Sequence, residues 1–317
     1  MVTLDSASLA PLVDVYRLPS SIRWNQLFHS KSLWPLCSHP VDIEIGFGIG
    51  ETLIRMAQKN PERHLVGIEQ NWERICKTLR EIQRLKLNNI RVLKIDARWA
   101  FQKYFREKSI DRVICLFPCP WLKTKHHKHR LFSRDFFGLL NNRLKDRGEF
   151  KIVTDNSSFF QWVLEEVKEA GFEIETQTIP SQYDTKFERK WVRAGQKDFF
   201  EINGRKTCHQ GITVEKDVAM KSYVLNHFDP ARFRFPTVVT KDCSIIFKEM
   251  VFDPVKEKAM LHFVVSEDPL TQHFWVMIFK KGSRWQLCKA DGQSFFQTHG
   301  TAQTLEWAYR RARETVQ

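Results

Sequence analysis

Three carboxylates stand at or near the ends of three successive apolar runs, and a glycine-rich turn follows the first of them. VDIEIG (41–46) opens the motif Glu44-Ile-Gly46-Phe-Gly48-Ile-Gly50-Glu51, HLVGIE (64–69) ends on Glu69, and RVLKID (91–96) ends on Asp96. Glycines at this spacing let the backbone take positive φ angles and approach a ligand closely. Glu69 follows Gly50 by 19 residues, where an acid can accept both hydroxyls of a ribose. Asp96 is placed to receive an adenine amino group. The ligand implied is a nucleoside.

Two chemistries use such a turn, and the residue after it separates them. Nicotinamide-dependent dehydrogenases favour G-x-G-x-x-G, because a helix N-terminus must there hold a pyrophosphate. Here the spacing is G-x-G-x-G and Glu51 follows at once. A carboxylate at that point repels a pyrophosphate. S-adenosylmethionine carries no phosphate and presents a cationic sulfonium and an amino group, so acids suit it. The expected cofactor is S-adenosylmethionine and the expected reaction is methyl transfer.

A fourth apolar run, RVICLF (112–117), leads into Pro118-Cys119-Pro120-Trp121 and a basic stretch. Between Leu122 and Arg134 stand five Lys/Arg, three His and no acid. Ligands of open α/β sheets bind at the carboxyl ends of the strands, so this loop is expected to face the cofactor pocket. Clustered cations beside an aromatic suit RNA phosphates and bases. Lys125, His126, His127, Lys128 and Arg130 are the candidate RNA-backbone contacts. His126, His127 and His129 could in principle hold a metal, but no acid or Cys at ligand spacing accompanies them, and no metal is expected.

The elements that must position these groups read as strands alternating with amphipathic helices. Apolar strands at 41–46, 64–69, 91–96, 112–117 and 148–155 alternate with helices at 51–60, 72–85, 136–144 and 157–171. That alternation predicts an α/β fold, a doubly wound, mostly parallel sheet with helices on both faces. After GRK (204–206) the period changes. A helix is predicted over 221–228, strands over 243–252, 258–267, 273–282 and 284–292, and a closing helix over 301–316. The predicted organisation is an N-terminal segment (1–40) packing on a catalytic domain (41–206), followed by a smaller C-terminal α+β domain (207–317). Aromatic residues of the last domain, Phe274, Trp275, Phe279, Trp285, Phe295 and Phe296, are read as core.

From about 41 to 205 the chain resembles the TrmB family of tRNA (guanine-N7-)-methyltransferases. EIGFGIGE, GIEQ, Asp96-Ala97, FPCPWLKTKHHKHR, VTDN (153–156) and TKFE (185–188) appear in the family's order. The resemblance implies a Rossmann-like class I methyltransferase fold. It implies S-adenosylmethionine bound by Glu44, Gly46, Gly48, Gly50, Glu69 and Asp96, and a tRNA partner methylated on N7 of a variable-loop guanine at tRNA position 46. Lys123, Asp155, Thr185, Lys186, Phe187 and Glu188 correspond to family residues that contact the guanine, with Asp155 also a catalytic candidate. The pattern departs at two points. Cys119 stands where the family has an Asp serving both cofactor and substrate, and Asn156 stands where it has Trp. Losing one charge-assisted contact costs about 1.5–3 kcal/mol, so slowed methyl transfer is expected, with a non-catalytic tRNA-binding protein as the alternative.

Bulk properties agree with a polyanionic partner. The 317 residues carry a formal net charge of +13, of which residues 1–206 hold +10. That places the positive field on the domain with the basic loop. Seven cysteines without a CxxC pair read as reduced thiols, which fits a cytoplasmic protein. The first residues lack a basic region followed by an apolar run, and no stretch approaches a membrane span. Neither signal peptide nor membrane association is expected. The oligomeric state, monomer or homodimer, is open at this stage.

Overall fold

The computed structural model describes residues 6–16, 39–213, 218–268 and 270–315. Two compact units divide the chain, Met1–Val214 and Glu215–Gln317. Of the segment expected to pack on the catalytic domain, residues 17–38, with Pro19, Pro35 and Cys37, lie outside the described residues.

In the first unit, a short helix α1 (Ser6–Leu9) precedes β1 (Leu12–Val13). The strands β2 (Val41–Ile45), β3 (His64–Glu69), β4 (Ile90–Lys94), β5 (Ile110–Leu116) and β6 (Leu144–Thr154) then alternate with helices α2 (Glu51–Lys59), α3 (Trp72–Arg84), α4 (Ala97–Lys103) and α5 (Arg134–Arg143). After β6 come α6 (Ser157–Glu166), β7 (Phe172–Pro180), α7 (Lys186–Arg193) and β8 (Asp198–Lys206). The sheet order is β1-β4-β3-β2-β5-β6-β8-β7. All neighbours are parallel except those of β8, which runs antiparallel to β6 and β7. The chain steps from β2 to β3 on one side and returns to β5 on the other. The crevice at the carboxyl ends of β2 and β5 is therefore the topological switch point, where such sheets bind ligands.

Burial explains these elements. Every residue of β2 and β3 is buried, as expected of central strands covered on both faces. Helix α2 buries Leu53, Ile54 and Ala57, and α3 buries Ile75, Leu79 and Ile82, each at helical spacing. Both pack with Phe47, Leu65, Ile90 and Val92 into one core. Side-chain caps fix the helix starts: Asn71 accepts from Arg74 N, Asp96 from Arg98 N, Asn156 from Phe159 N and Thr185 from Glu188 N. The Asn156 that departs from the family's Trp is thus the cap of α6.

The second unit is a six-stranded antiparallel sheet ordered β10-β11-β12-β13-β14-β9. Its strands are β9 (Tyr223–Leu225), β10 (Val238–Val239), β11 (Ser244–Asp253), β12 (Lys258–Glu267), β13 (Leu270–Lys281) and β14 (Arg284–Lys289). Helix α8 (His299–Glu314) buries Leu305, Ala308 and Ala312 in the core that contains Leu261, Phe263 and Val276. Residues 221–228, expected as a helix, instead contain the strand β9. Tyr223 pairs with Leu287 and Leu225 with Trp285, and Tyr223 stacks on Tyr309 at 4.6 Å. Alternate-residue burial against a strand edge outweighs the local helical pattern. Of the aromatics read as core, Phe274, Trp285 and Phe295 are buried. Trp275 is only partly buried and stacks on His262, 4.4 Å between rings.

Candidate active site

Two acids lie in the same buried strand, and the fold treats them differently. Asp42 accepts from Arg63 Nε at 2.7 Å and from Arg112 Nη2 at 2.6 Å. Glu44 is 3% exposed, and its Oε2 has no partner among the described residues. Burial is the main cause that raises its pKa to about 8; Arg55 works against the rise and Glu51 adds to it. A backbone hydrogen bond from Leu53 also opposes the rise, which leaves one oxygen of the carboxyl group buried without a partner among the described residues. Such an atom is costly, so Glu44 marks a place where a cationic or hydrogen-donating ligand completes the charge balance.

Glu44 lines a cavity of about 270 Å³ together with Gly46, Gly48, Glu51, Thr185 and Lys186. Gly46 and Gly48 have φ of 70° and 59°, and a Cβ at either would project into open space, so the turn forms a cradle whose surface is bare backbone. Gly50 has φ 82°, and a Cβ there would lie 2.5 Å from Thr78 Cγ2. It is required for close packing of the turn on α3. Leu116, the last residue of β5, and Phe117 after it also line the cavity.

Glu69 and Asp96 stand beside this cavity, not on its lining. Glu69 accepts from Gly48 N at 3.1 Å and from Gln70 N and Asn71 N at 2.9 Å each, which ties the glycine turn to the start of α3. Arg74 Nη1 lies 3.5 Å from the oxygen that accepts from Gly48 N. With these three hydrogen bonds made and about four acceptor positions on a carboxylate, one position remains for a ribose hydroxyl. Asp96 caps α4 through Arg98 N and accepts from Gln70 Nε2 at 3.0 Å. Gln70 therefore bridges the ends of β3 and β4. The donor set fits S-adenosylmethionine, with a buried acid that has one unpaired oxygen, a glycine cradle and two further acids at adjacent strand ends.

The basic loop leaves β5 through Phe117 and Trp121, both with positive φ. Lys123 precedes a 3-10 turn (Thr124–His129). Cys119, Lys123, Lys125 and Lys128 are exposed, and His126 and His127 are partly so. Trp121 is 37% exposed and meets the rings of His126 and His129 at 5.8 and 5.2 Å. Arg130 corrects the expectation of an RNA contact. It is 5% exposed, its Nε donates to Pro120 O at 2.9 Å, and its guanidinium lies over the Phe159 and Trp162 rings. It fastens the root of the loop to α6. No three His, Cys, Asp or Glu among the described residues are grouped as a metal site.

On the far wall, Thr185, Lys186 and Phe187 line the cavity. Glu188, expected at the guanine, is completely buried; its Oε1 accepts from Gln182 N at 2.8 Å and Tyr183 N at 3.2 Å. That oxygen braces the segment, while its Oε2 is buried without a hydrogen-bond partner among the described residues. Asp155, at the end of β6, is partly buried, and burial raises its pKa against the opposing charge of Lys190.

Sequence reasoning missed the residues that hold this wall in place. Glu51 Oε2 accepts from Lys186 N at 2.7 Å and its other oxygen from Arg189. Arg55 donates to Tyr183 O. Tyr183 Oη donates to Glu201 Oε2 at 2.5 Å, and Glu201 also accepts from Gln177, Asn203 and Lys151. Only the i, i+4 placement of Glu51 and Arg55 on one helix was visible beforehand.

Burial opposes ionisation of Glu201, but the bonds from Tyr183, Asn203, Lys151 and Gln177 outweigh it and bring its pKa from 4.5 to about 2. Its stabilising contribution is complete above pH 4.5 and is lost as pH falls through about 2. Glu201→Ala leaves Lys151 and Tyr183 without their acceptor. A loss of about 3–5 kcal/mol is expected, read as a lower urea midpoint; a change under about 1 kcal/mol would show that the cluster is not a stabilising unit.

Fold and site together define an S-adenosylmethionine-dependent methyltransferase. Residues 38–201 match the family model Methyltransf_4, described as "Putative methyltransferase". The chain belongs to this family, the TrmB family of the motifs above. A tRNA (guanine-N(7)-)-methyltransferase of Chlorobium phaeobacteroides is 44% identical over 169 residues, 53% of this chain and 83% of that protein. The enzyme of the same name from Thermotoga maritima is 27% identical over 303 residues, 92% of each chain. That similarity extends through both units. The Aquifex aeolicus enzyme is 27% identical over 249 residues, covering 76% of this chain and 83% of its own.

Proposed function

We propose that the chain methylates N7 of a guanine in the variable loop of tRNA, at position 46. The observation that carries this reading is the shared cavity. Glu44 and the glycine turn meet Thr185, Lys186 and Phe187 there, a cofactor cradle and a substrate wall in one space. Relatives named as tRNA (guanine-N(7)-)-methyltransferases support the substrate class.

When bound, S-adenosylmethionine supplies an electrophilic methyl group on a sulfonium. Glu44, ionised on binding, balances the cofactor's positive charge, and Glu69 holds the turn while accepting from the ribose. Guanine N7 carries an in-plane lone pair and needs no deprotonation, so the protein's task is in-line placement. Transfer of the methyl group from sulfur to N7 would move the positive charge from the cofactor to the purine. Asp155, which lies outside the lining of the cavity, accepts from the guanine N1–H and N2–H edge in this reading and balances that charge. Lys123 contacts the guanine, Lys125 and Lys128 bind RNA phosphates, and the Trp121 ring offers a stacking face.

Incubation of the protein with unmodified tRNA and labelled S-adenosylmethionine is expected to yield 7-methylguanine. Binding of both without any methylated product would leave a tRNA-binding protein in place of an enzyme. Replacing Lys125 and Lys128 by Ala is expected to lower the slope of log affinity against log salt by about 2. An unchanged slope would remove the loop from the RNA interface.

A further inference from the structure

Helix α2 starts directly on the glycine turn, with Gly50 as its N-cap, and two of its side chains reach the substrate wall. Glu51 holds the N–H of Lys186, the first residue of α7, at 2.7 Å, and pairs with Arg189 one turn further on. Arg55 donates to Tyr183 O and lies 3.7 Å from Asp184 Oδ2. Arg189 also binds Asp184 Oδ1 at 2.9 Å, so two acids and two arginines form a chain of contacts that begins and ends on α2. The chain it grips, 183–189, contains the three wall residues of the cavity.

We propose that the Glu51–Arg189–Asp184–Arg55 network makes cofactor binding and RNA binding mutually reinforcing. The inference rests on the reading of the cavity as a joint cofactor and tRNA site. A ligand that orders Gly46–Gly50 also orders the first turn of α2, and with it Glu51 and Arg55. These two then hold Thr185, Lys186 and Phe187 in place before RNA arrives. The ordering cost falls on whichever ligand binds first, and the second meets a formed wall. Coupling of this kind is reciprocal, each ligand tightening the other by the same factor.

Arg189 and Asp184 act here as positioning residues, and neither lines the cavity. Asp184 has φ 46°, a backbone conformation that Asn also tolerates, so Asp184→Asn removes the charge and retains the turn. Arg189→Met retains the aliphatic stem and removes both ion pairs. Arg189→Lys keeps a cation.

The test uses the full chain, an unmodified tRNA transcript and S-adenosylhomocysteine, which cannot transfer a methyl group. Anisotropy gives the tRNA affinity with and without S-adenosylhomocysteine, and calorimetry gives the reverse. In the native chain each ligand is expected to tighten the other by at least about fivefold. In Asp184→Asn and Arg189→Met that factor falls toward one, while each ligand alone binds within about twofold of native; Arg189→Lys recovers part of it. A network that merely stabilises α7 would lower the unfolding temperature and leave the factor unchanged, and that result overturns the inference. So does a factor of one in the native chain. Failure of either ligand to bind at all would instead refute the joint-site reading on which the inference rests.

Discussion

Glu44→Gln is expected to fold as the native protein does and to bind S-adenosylmethionine about ten- to a hundredfold more weakly, the loss of one charge-assisted contact. Retention of the fold follows from the protonation state. With a pKa of about 8 in the free protein, the buried carboxyl is mostly neutral at pH 7, and glutamine copies its shape and neutrality. The cofactor's cationic groups favour the ionised form, so binding must expel a proton below pH 8. Native affinity is therefore expected to fall toward low pH, by up to about tenfold per unit. The ligand's own α-amino group also titrates near pH 8, so the variant serves as the control. The part of the pH dependence that vanishes in Glu44→Gln belongs to Glu44. Calorimetry in buffers of differing ionisation enthalpy should show nearly one proton released per native binding event at pH 7. Equal proton release by native protein and variant would rule out this role. For stability the sign is the reverse of Glu201. The folded state holds the Glu44 proton between 4.5 and about 8, so without ligand this group disfavours the fold increasingly as pH rises through that range.

Cys119→Asp is expected to raise the rate of methyl transfer about ten- to a hundredfold, restoring one charge-assisted contact of about 1.5–3 kcal/mol. Cys119 is exposed, between two prolines, in a loop whose root is fastened by Arg130 to Pro120 O. Substitution there should change stability by less than about 0.5 kcal/mol, so the rate reports chemistry. Five cations follow within Leu122–Arg134, and a carboxylate set among them is held toward the substrate. An acid that binds guanine in the transition state raises kcat; one that only improves binding lowers KM. Cys119→Ser at native rate would rule out a special thiol role. A Cys119→Asp rate at or below native would show that Asp155 and the wall residues alone supply the electrostatics.

Strand ends were the most legible feature. VDIEI and HLVGIE are central strands buried on both faces, so the acids they carry, Asp42, Glu44 and Glu69, stand out among apolar neighbours. The interior of unit 1 beyond residue 171 was not legible. β7 is largely exposed at the sheet edge, and α7, built on the polar KFERKWVR, buries only Glu188. The alternation of β7 is apolar only over FEIE, and the Phe187–Trp191 spacing in α7 covers a single pair on an eight-residue helix, so neither run is long enough to mark an element. The strand β9 was read as a helix because its three residues acquire their pattern only from pairing with β14.

The sequence by itself determined the glycine turn, the acids at three strand ends, the basic loop and the family they point to. These depend on residue type and local spacing. Only the tertiary structure decided which of the acids keeps an unpaired oxygen. Asp42 and Glu44 are two residues apart, yet Asp42 meets Arg63 and Arg112 while Glu44 Oε2 meets no one among the described residues. Likewise Arg130, which read as an RNA contact, is consumed in holding a loop. The balance of a buried charge is set by partners brought in from distant strands and helices, and those partners exist only once the chain has folded.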